Sequence, residues 1–194
     1  MENRWIKAAT ILPPTVKVCG KTLLPFCLRH RVALEAVNSP VLNIKLNLTP
    51  QDLLFAVRVL STYDMESTRG GPTLKESYLL ALYNHRPAVF LREAIKLINY
   101  FNAQALWPRF WEKDSKSSDC GIPWHLSIIA GLTRNGCSLE EAWTMPEAEA
   151  VWLHIAHCKA NGAKIDVVSE QEWQAMEDYK AAESQNKNNN LNRN

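Results

Sequence analysis

The residues with the most chemical potential in this chain are His154, His157 and Cys158. On a helix, positions 154 and 158 lie one turn apart, and 157 lies about 100° from 158, so all three side chains can approach one metal ion. Cys120 or Cys137 could supply a further ligand. Structural zinc sites usually join two closely spaced ligand pairs, and the chain offers one such cluster. The alternative is a helix with two surface histidines and a packed cysteine. Cys137 precedes a helix that opens at Ser138, and a helix N-terminus can favour a thiolate. No acid or oxyanion donor can be assigned to accompany it, and a buried apolar cysteine is the better account of it. Glu140 and Glu141 are explained by capping and by the helix dipole, and Glu147 and Glu149 sit in a first turn that welcomes acids. Arg29-His30-Arg31 and Arg86 with Arg92 read as solvated helix positions. There is no GxGxxG, P-loop or GxSxG pattern. No catalytic residue and no cofactor are assigned, so the expectation is a protein that is not an enzyme.

The aromatic residues are the stronger interaction features. Six of the seven tryptophans follow Ala105. Trp107, Phe110 and Trp111 cluster beside a proline, and Trp124, Trp143, Trp152 and Trp173 place one tryptophan on each C-terminal helix. They can fill the core of a small helical unit, or line a groove for an apolar partner helix, where tryptophan is a favoured anchor. Trp124, Trp143 and Trp152 are the candidate partner-binding residues.

Helices must position these side chains. Thr15–Cys19 and Thr22–Leu24 read as a short β-hairpin turning at Gly20-Lys21. Pro25 opens a helix that stops at Asn38-Ser39-Pro40. Thr49 as N-cap, Pro50 at the first position and Asp52 in the first turn start a second helix, with Leu53, Leu54, Val57 and Leu60 at helical spacing. A third runs from Thr73 to Tyr83 with Leu74, Tyr78, Leu79 and Leu82 inward. A fourth runs from Pro87 to about Ala105 with Phe90, Leu91, Ala94, Leu97, Ile98 and Phe101 inward. Residues 113–120 are a polar linker. Then come a helix from Pro123 to Asn135-Gly136, a short one capped by Ser138 and Glu141, a longer one from Pro146 to Asn161-Gly162, and a last one opened by Ser169 and Glu172. The last helix carries Trp173, Met176 and Tyr179 on one side. The fold expected is mostly α: a helical bundle with a small N-terminal β-hairpin and a compact C-terminal helical subdomain. Residues 1–112 form the hairpin and helical body, 121–183 the acidic, tryptophan-rich subdomain, and 184–194 a disordered polar tail.

Composition sets the outer limits. The chain has 194 residues, 46% hydrophobic and 22% charged, and a net charge of +2. These values fit a globular domain and give no pull towards nucleic acid or anionic membrane. Seven glycines are few for a phosphate-cradling enzyme. The near-neutrality is a cancellation: residues 1–137 carry +7, residues 138–183 carry −7, and the tail adds +2. Such a polarised molecule can pair head to tail. Five cysteines without a CxxC pair, and no signal peptide at Met1, point to a reduced, cytoplasmic setting. No apolar run approaches the roughly 18 residues that span a bilayer.

The segment from Gly131 to Trp152, with Gly136, then Ser138-Leu139-Glu140-Glu141-Ala142-Trp143, then Thr144-Met145-Pro146-Glu147, resembles a motif of tailed-phage (or prophage) tail assembly chaperones. Val18–Phe26 followed by a helix resembles the short strand pair that precedes the helical body in those proteins. The resemblance covers about a third of the chain. It implies a non-enzymatic chaperone or adaptor in the bacterial host cytoplasm. Such a protein binds and solubilises the helical tape measure protein during tail assembly, can stack on copies of itself, and then leaves. A virion structural or connector protein is the alternative, and a metal-dependent enzyme using His154, His157 and Cys158 is the third.

Overall fold

The computed structural model describes residues 3–10, 15–43, 47–110 and 121–191. The linker expected over 113–120, Trp111, Cys120 and the last three residues of the polar tail lie outside the described residues. The described residues are mostly helical, with two small antiparallel strand pairs.

The chain begins with helix α1 (Asn3–Thr10), which the sequence reading did not anticipate. Strands β1 (Lys17–Val18) and β2 (Lys21–Thr22) then form the expected hairpin. Its turn is centred on Cys19-Gly20 rather than Gly20-Lys21. Both turn residues have positive φ, 51° and 76°, as a tight two-residue hairpin with native strand twist demands. The unusual Cys19 backbone is held from outside: its N–H donates to Glu93 at 2.8 Å, and the Tyr83 hydroxyl reaches its sulfur at 3.2 Å.

Helix α2 (Leu28–Glu35) follows, and α3 (Pro50–Leu60) starts with the expected Thr49–Asp52 cap, here a reciprocal capping box. Helix α4 (Leu74–His85) is capped in the same way by Thr73 and Glu76, and α5 (Pro87–Gln104) begins at Pro87 as the sequence indicates. Two-residue strand β3 (Arg109–Phe110) comes next. The second half holds α6 (Trp124–Arg134), α7 (Leu139–Thr144), α8 (Glu147–Ala160), strand β4 (Val167–Val168) and α9 (Glu170–Leu191). Ser138 and Glu141 make the predicted capping box at α7, and Ser169 and Glu172 make one at α9. A cap of this kind is worth about 1 kcal/mol.

Two predicted inner faces differ from the structure. On α4, Leu74 and Tyr78 are 93% and 68% exposed, while Tyr83 and Glu76 are buried. On α5, Leu91 and Ile98 point outward, and Glu93 and Tyr100 join Ala94 and Leu97 inside. Periodicity locates an apolar stripe but not which part of it a neighbour covers, and buried polar residues widen the true inner face beyond the apolar one. At the C-terminus, α9 continues to Leu191, through most of the segment read as a polar tail. No proline or glycine follows Gly162 to stop it.

The buried apolar residues form two clusters. The first joins Val18, Leu23, Leu34, the buried face of α3, Tyr83, Leu97 and Tyr100. The second joins Ile128, Ile129 and Leu132 of α6, Ala142 of α7, and Ala150, Val151 and Ile155 of α8. Helix α2 belongs to both, since Leu34 enters the first and Leu28 the second. Pairing of β3 with β4, and packing of α1 on α8, tie the start and the finish of the first half to the second. The fully buried Leu28 and Leu34 are each worth roughly 1.5–3 kcal/mol of burial, so α2 anchors both clusters.

Candidate functional site

Polar contacts concentrate where the halves meet. The isolated bridge Cys27–Pro146 brings the start of α2 against the start of α8, and the Glu147 N–H donates to the Phe26 carbonyl at 2.8 Å. Glu147 is 2% exposed and takes a bidentate pair from Arg31, through Nε and, at 3.0 Å, through Nη2. The Arg31 guanidinium also lies 4.9 Å from the Trp107 ring centre, 5.5 Å from Trp124 and 5.3 Å from Phe26. Burial pushes the Glu147 carboxyl up to about 6, against the pull of Arg31. Arg29 makes a second bridge between the halves, donating to both oxygens of Glu140 at 2.8 and 2.6 Å and to the Tyr63 carbonyl. Between them His30 is fully buried, stacked on Tyr63, and lowered by that burial to about 4. Arg29-His30-Arg31 is therefore not a solvated basic run but the pin through the molecule. Sequence spacing could not reveal this, because Glu140 and Glu147 lie more than a hundred residues from Arg29 and Arg31.

Most of the remaining chemical candidates lie apart from this junction. Cys158 Sγ and His154 Nε2 are 3.5 Å apart on α8, but among the described residues no three His, Cys, Asp or Glu side chains gather as a metal would need. Burial, and the neighbouring His157, lower the His154 ring. Its Nδ1 faces Gly131 of α6, where a Cβ would overlap it. Gly131 thus allows α6 and α8 to meet around a packed imidazole. The Cys137 thiol is raised by desolvation and by the Glu141 carboxylate beside it, opposite to the activation its place before α7 suggested. Cys27 is buried and raised to about 11 by that burial. Glu140 and Glu141 serve Arg29 and the Ser138 cap.

The candidate tryptophans separate onto different grooves. Trp143 closes a groove of about 610 Å³ whose walls are Val32 and Ala33 of α2, Val37 in the turn after it, Phe55 of α3, and Met65. The arginines on its rim are all engaged: Arg29 with Glu140, Arg58 with Glu76, and Arg69 with Glu66. Trp152 donates its indole N–H to the Leu106 carbonyl at 2.8 Å and lines a groove of about 350 Å³ with Trp5, Leu153 and Ala156. Trp5, on the unanticipated α1, is the residue sequence reasoning missed here. Trp124 packs at a tilt against Trp107, ring centres 5.5 Å apart, beside Arg31. The structure therefore does not bring Trp124, Trp143 and Trp152 into one surface.

No known protein family, curated protein or solved structure matches this chain. Among the described residues, no helix is long and apolar enough to cross a membrane.

Proposed function

We propose that this chain is a non-enzymatic assembly chaperone or adaptor. It holds the apolar stripe of a long helical client, in the manner of a phage tail assembly chaperone with its tape measure protein. The observation that carries this reading is the groove at Trp143. Its walls are aliphatic and aromatic, and each rim arginine already has a carboxylate partner. A groove whose charges are balanced from within selects apolar surface rather than a free anion. An amphipathic helix fills such a groove with side chains one turn apart. The resemblance over 131–152, which contains Trp143, supports the same reading, and the bacterial cytoplasm is the setting that goes with it.

Co-expression with a long helical protein of the tape measure type tests the proposal. The client is expected to remain in the soluble fraction and to copurify with this chain. Val37→Asp, at a groove residue that is 52% exposed, should reduce copurification at least about tenfold with little change in Tm. Failure of the natural chain to bind or solubilise the client would overturn the reading. Recovery of the chain in stoichiometric amounts from finished particles would replace it with a structural or connector role.

A further inference from the structure

One wall of the groove at Trp143 is a loop. Met65, Thr68, Arg69 and Gly70 line it, between the end of α3 and the start of α4. The loop is built as a unit. The Glu66 N–H donates to Asp64 Oδ1 at 3.1 Å, and the Ser67 hydroxyl donates to the Asp64 carbonyl at 2.7 Å. The Thr68 hydroxyl donates to the Met65 carbonyl at 2.7 Å, and Glu66–Thr68 form a single helical turn. Arg69 pairs with Glu66 three residues before it. These bonds shape the loop without tying it to the body of the molecule.

Arg58 ties it. Arg58 lies in the last turn of α3, where its neighbours Val57, Val59 and Leu60 are buried in the first core cluster, so its own place is fixed. Its guanidinium reaches two ways. Nε and Nη2 donate to the two oxygens of Glu76 in the first turn of α4, Nε at 3.2 Å. Nη1 turns to the loop and donates to the Gly70 carbonyl, with the Thr68 carbonyl at 3.4 Å. Among the described residues, the hydrogen bonds that join residues 65–71 to anything outside 64–71 come from this one group. The Arg58 side chain is 14% exposed and that of Glu76 5%, so the fork is largely shielded from water.

The far end of the loop pulls the other way. A Cβ at Gly70 or Gly71 would meet nothing within 4 Å, and neither residue has positive φ. Neither a close approach nor a left-handed backbone therefore requires glycine there. What two glycines add is conformational freedom once the loop lets go. A guanidinium can oppose that freedom because its donors form a rigid fork that serves a carboxylate and carbonyls together. A lysine ammonium carries the same charge without the fork.

We propose that Arg58 is the positioning residue of this groove: its fork holds the 64–71 loop as a closed wall, and its charge alone does not. The inference rests on the reading of the groove as the client site, and it names the residue that keeps that site in shape. A client helix packs against Met65 and Thr68 only while the wall is closed, so an open wall weakens binding.

Amide hydrogen exchange of the full chain, read by mass spectrometry, tests the proposal with Arg58→Lys. Exchange across residues 65–71 is expected to rise at least about tenfold, while α3 and α5 exchange as in the natural chain. Affinity for a long helical protein of the tape measure type should fall at least about tenfold, with little change in Tm. Gly131→Ala, which strains the α6–α8 contact, should leave exchange in 65–71 unchanged. Gly70→Ala with Gly71→Ala approaches the loop from its other end and leaves the ion pair intact. By narrowing the freedom of the opened loop it should slow exchange there about twofold or more. Loop exchange in Arg58→Lys within about threefold of the natural chain would overturn the proposal. So would a loss of protection spread evenly over α3, α4 and the loop, which would make Arg58 a residue of general stability. Glycine variants that exchange like the natural chain, or client affinity that survives an opened loop, would overturn it as well. A natural chain that binds no client overturns the groove reading instead, and the exchange results then decide by themselves whether Arg58 holds the loop.

Discussion

Removing Glu147 is expected to loosen the junction between the two halves. In Glu147→Ala the Arg31 guanidinium would remain among Phe26, Trp107 and Trp124 but lose both carboxylate oxygens. Breaking a buried ion pair by deleting one partner costs about 3–5 kcal/mol, because an uncompensated charge is left inside. Glu35, 3.5 Å from Arg31 Nη1, and the three aromatic faces keep part of the compensation. That places the expected loss near the lower end, about 3 kcal/mol. Against a total stability on the order of 5–15 kcal/mol, this is a large share. Arg31→Met combined with Glu147→Leu removes both charges at similar volume and should recover most of the loss. Urea unfolding followed by tryptophan fluorescence is the assay, with Trp107 and Trp124 reporting from the junction itself. A loss under about 1 kcal/mol for Glu147→Ala would mean the pair behaves like a solvated surface bridge, and would refute the assignment of this contact as the pin.

Two further outcomes follow from the packing. Burial alone would raise the Glu76 carboxyl, but Arg58, the Thr73 N–H and Lys21 outweigh it and hold it at about 2. A lowered folded value means stability present above the ordinary carboxylate range and lost as pH falls from about 4.5 towards 2, at most about 3 kcal/mol. Acid titration of the natural chain should show this loss, and Glu76→Gln should be less stable at neutral pH with a shallower acid transition. Gly131→Ala should destabilise the α6–α8 contact by about 1–3 kcal/mol, because the new methyl group meets the His154 ring. Adding His154→Ala should relieve most of that loss, measured as recovery of Tm in the double variant.

Local grammar was legible in the sequence, and long-range choice was not. Caps at Thr49, Ser138 and Ser169, and the stops at Asn135-Gly136 and Asn161-Gly162, are short-range signals set by backbone hydrogen bonding, and the helices begin and end beside them. The mostly helical fold with its small hairpin follows from them. Strands β3 and β4 are two residues each, too short to show alternation. The inner faces of α4 and α5 depended on which neighbours arrive, and there the structure turns Leu74, Tyr78 and Leu91 outward. The Arg31–Glu147 pin joins positions 116 apart, and no spacing rule reaches that far. The candidate tryptophans were visible as residue types, but their division among separate grooves depends on α1 and α2, which supply Trp5 and Val32.

The central claim is that the groove at Trp143 holds the apolar stripe of a helical client. The most direct test places a photocrosslinking residue at Val37 in cells that make both this chain and a long helical protein of the tape measure type, with Gln171 on α9 as the control position. The proposal expects an adduct with the client from position 37 and none from position 171. Client that binds the chain yet crosslinks from 171 and not from 37 would contradict it.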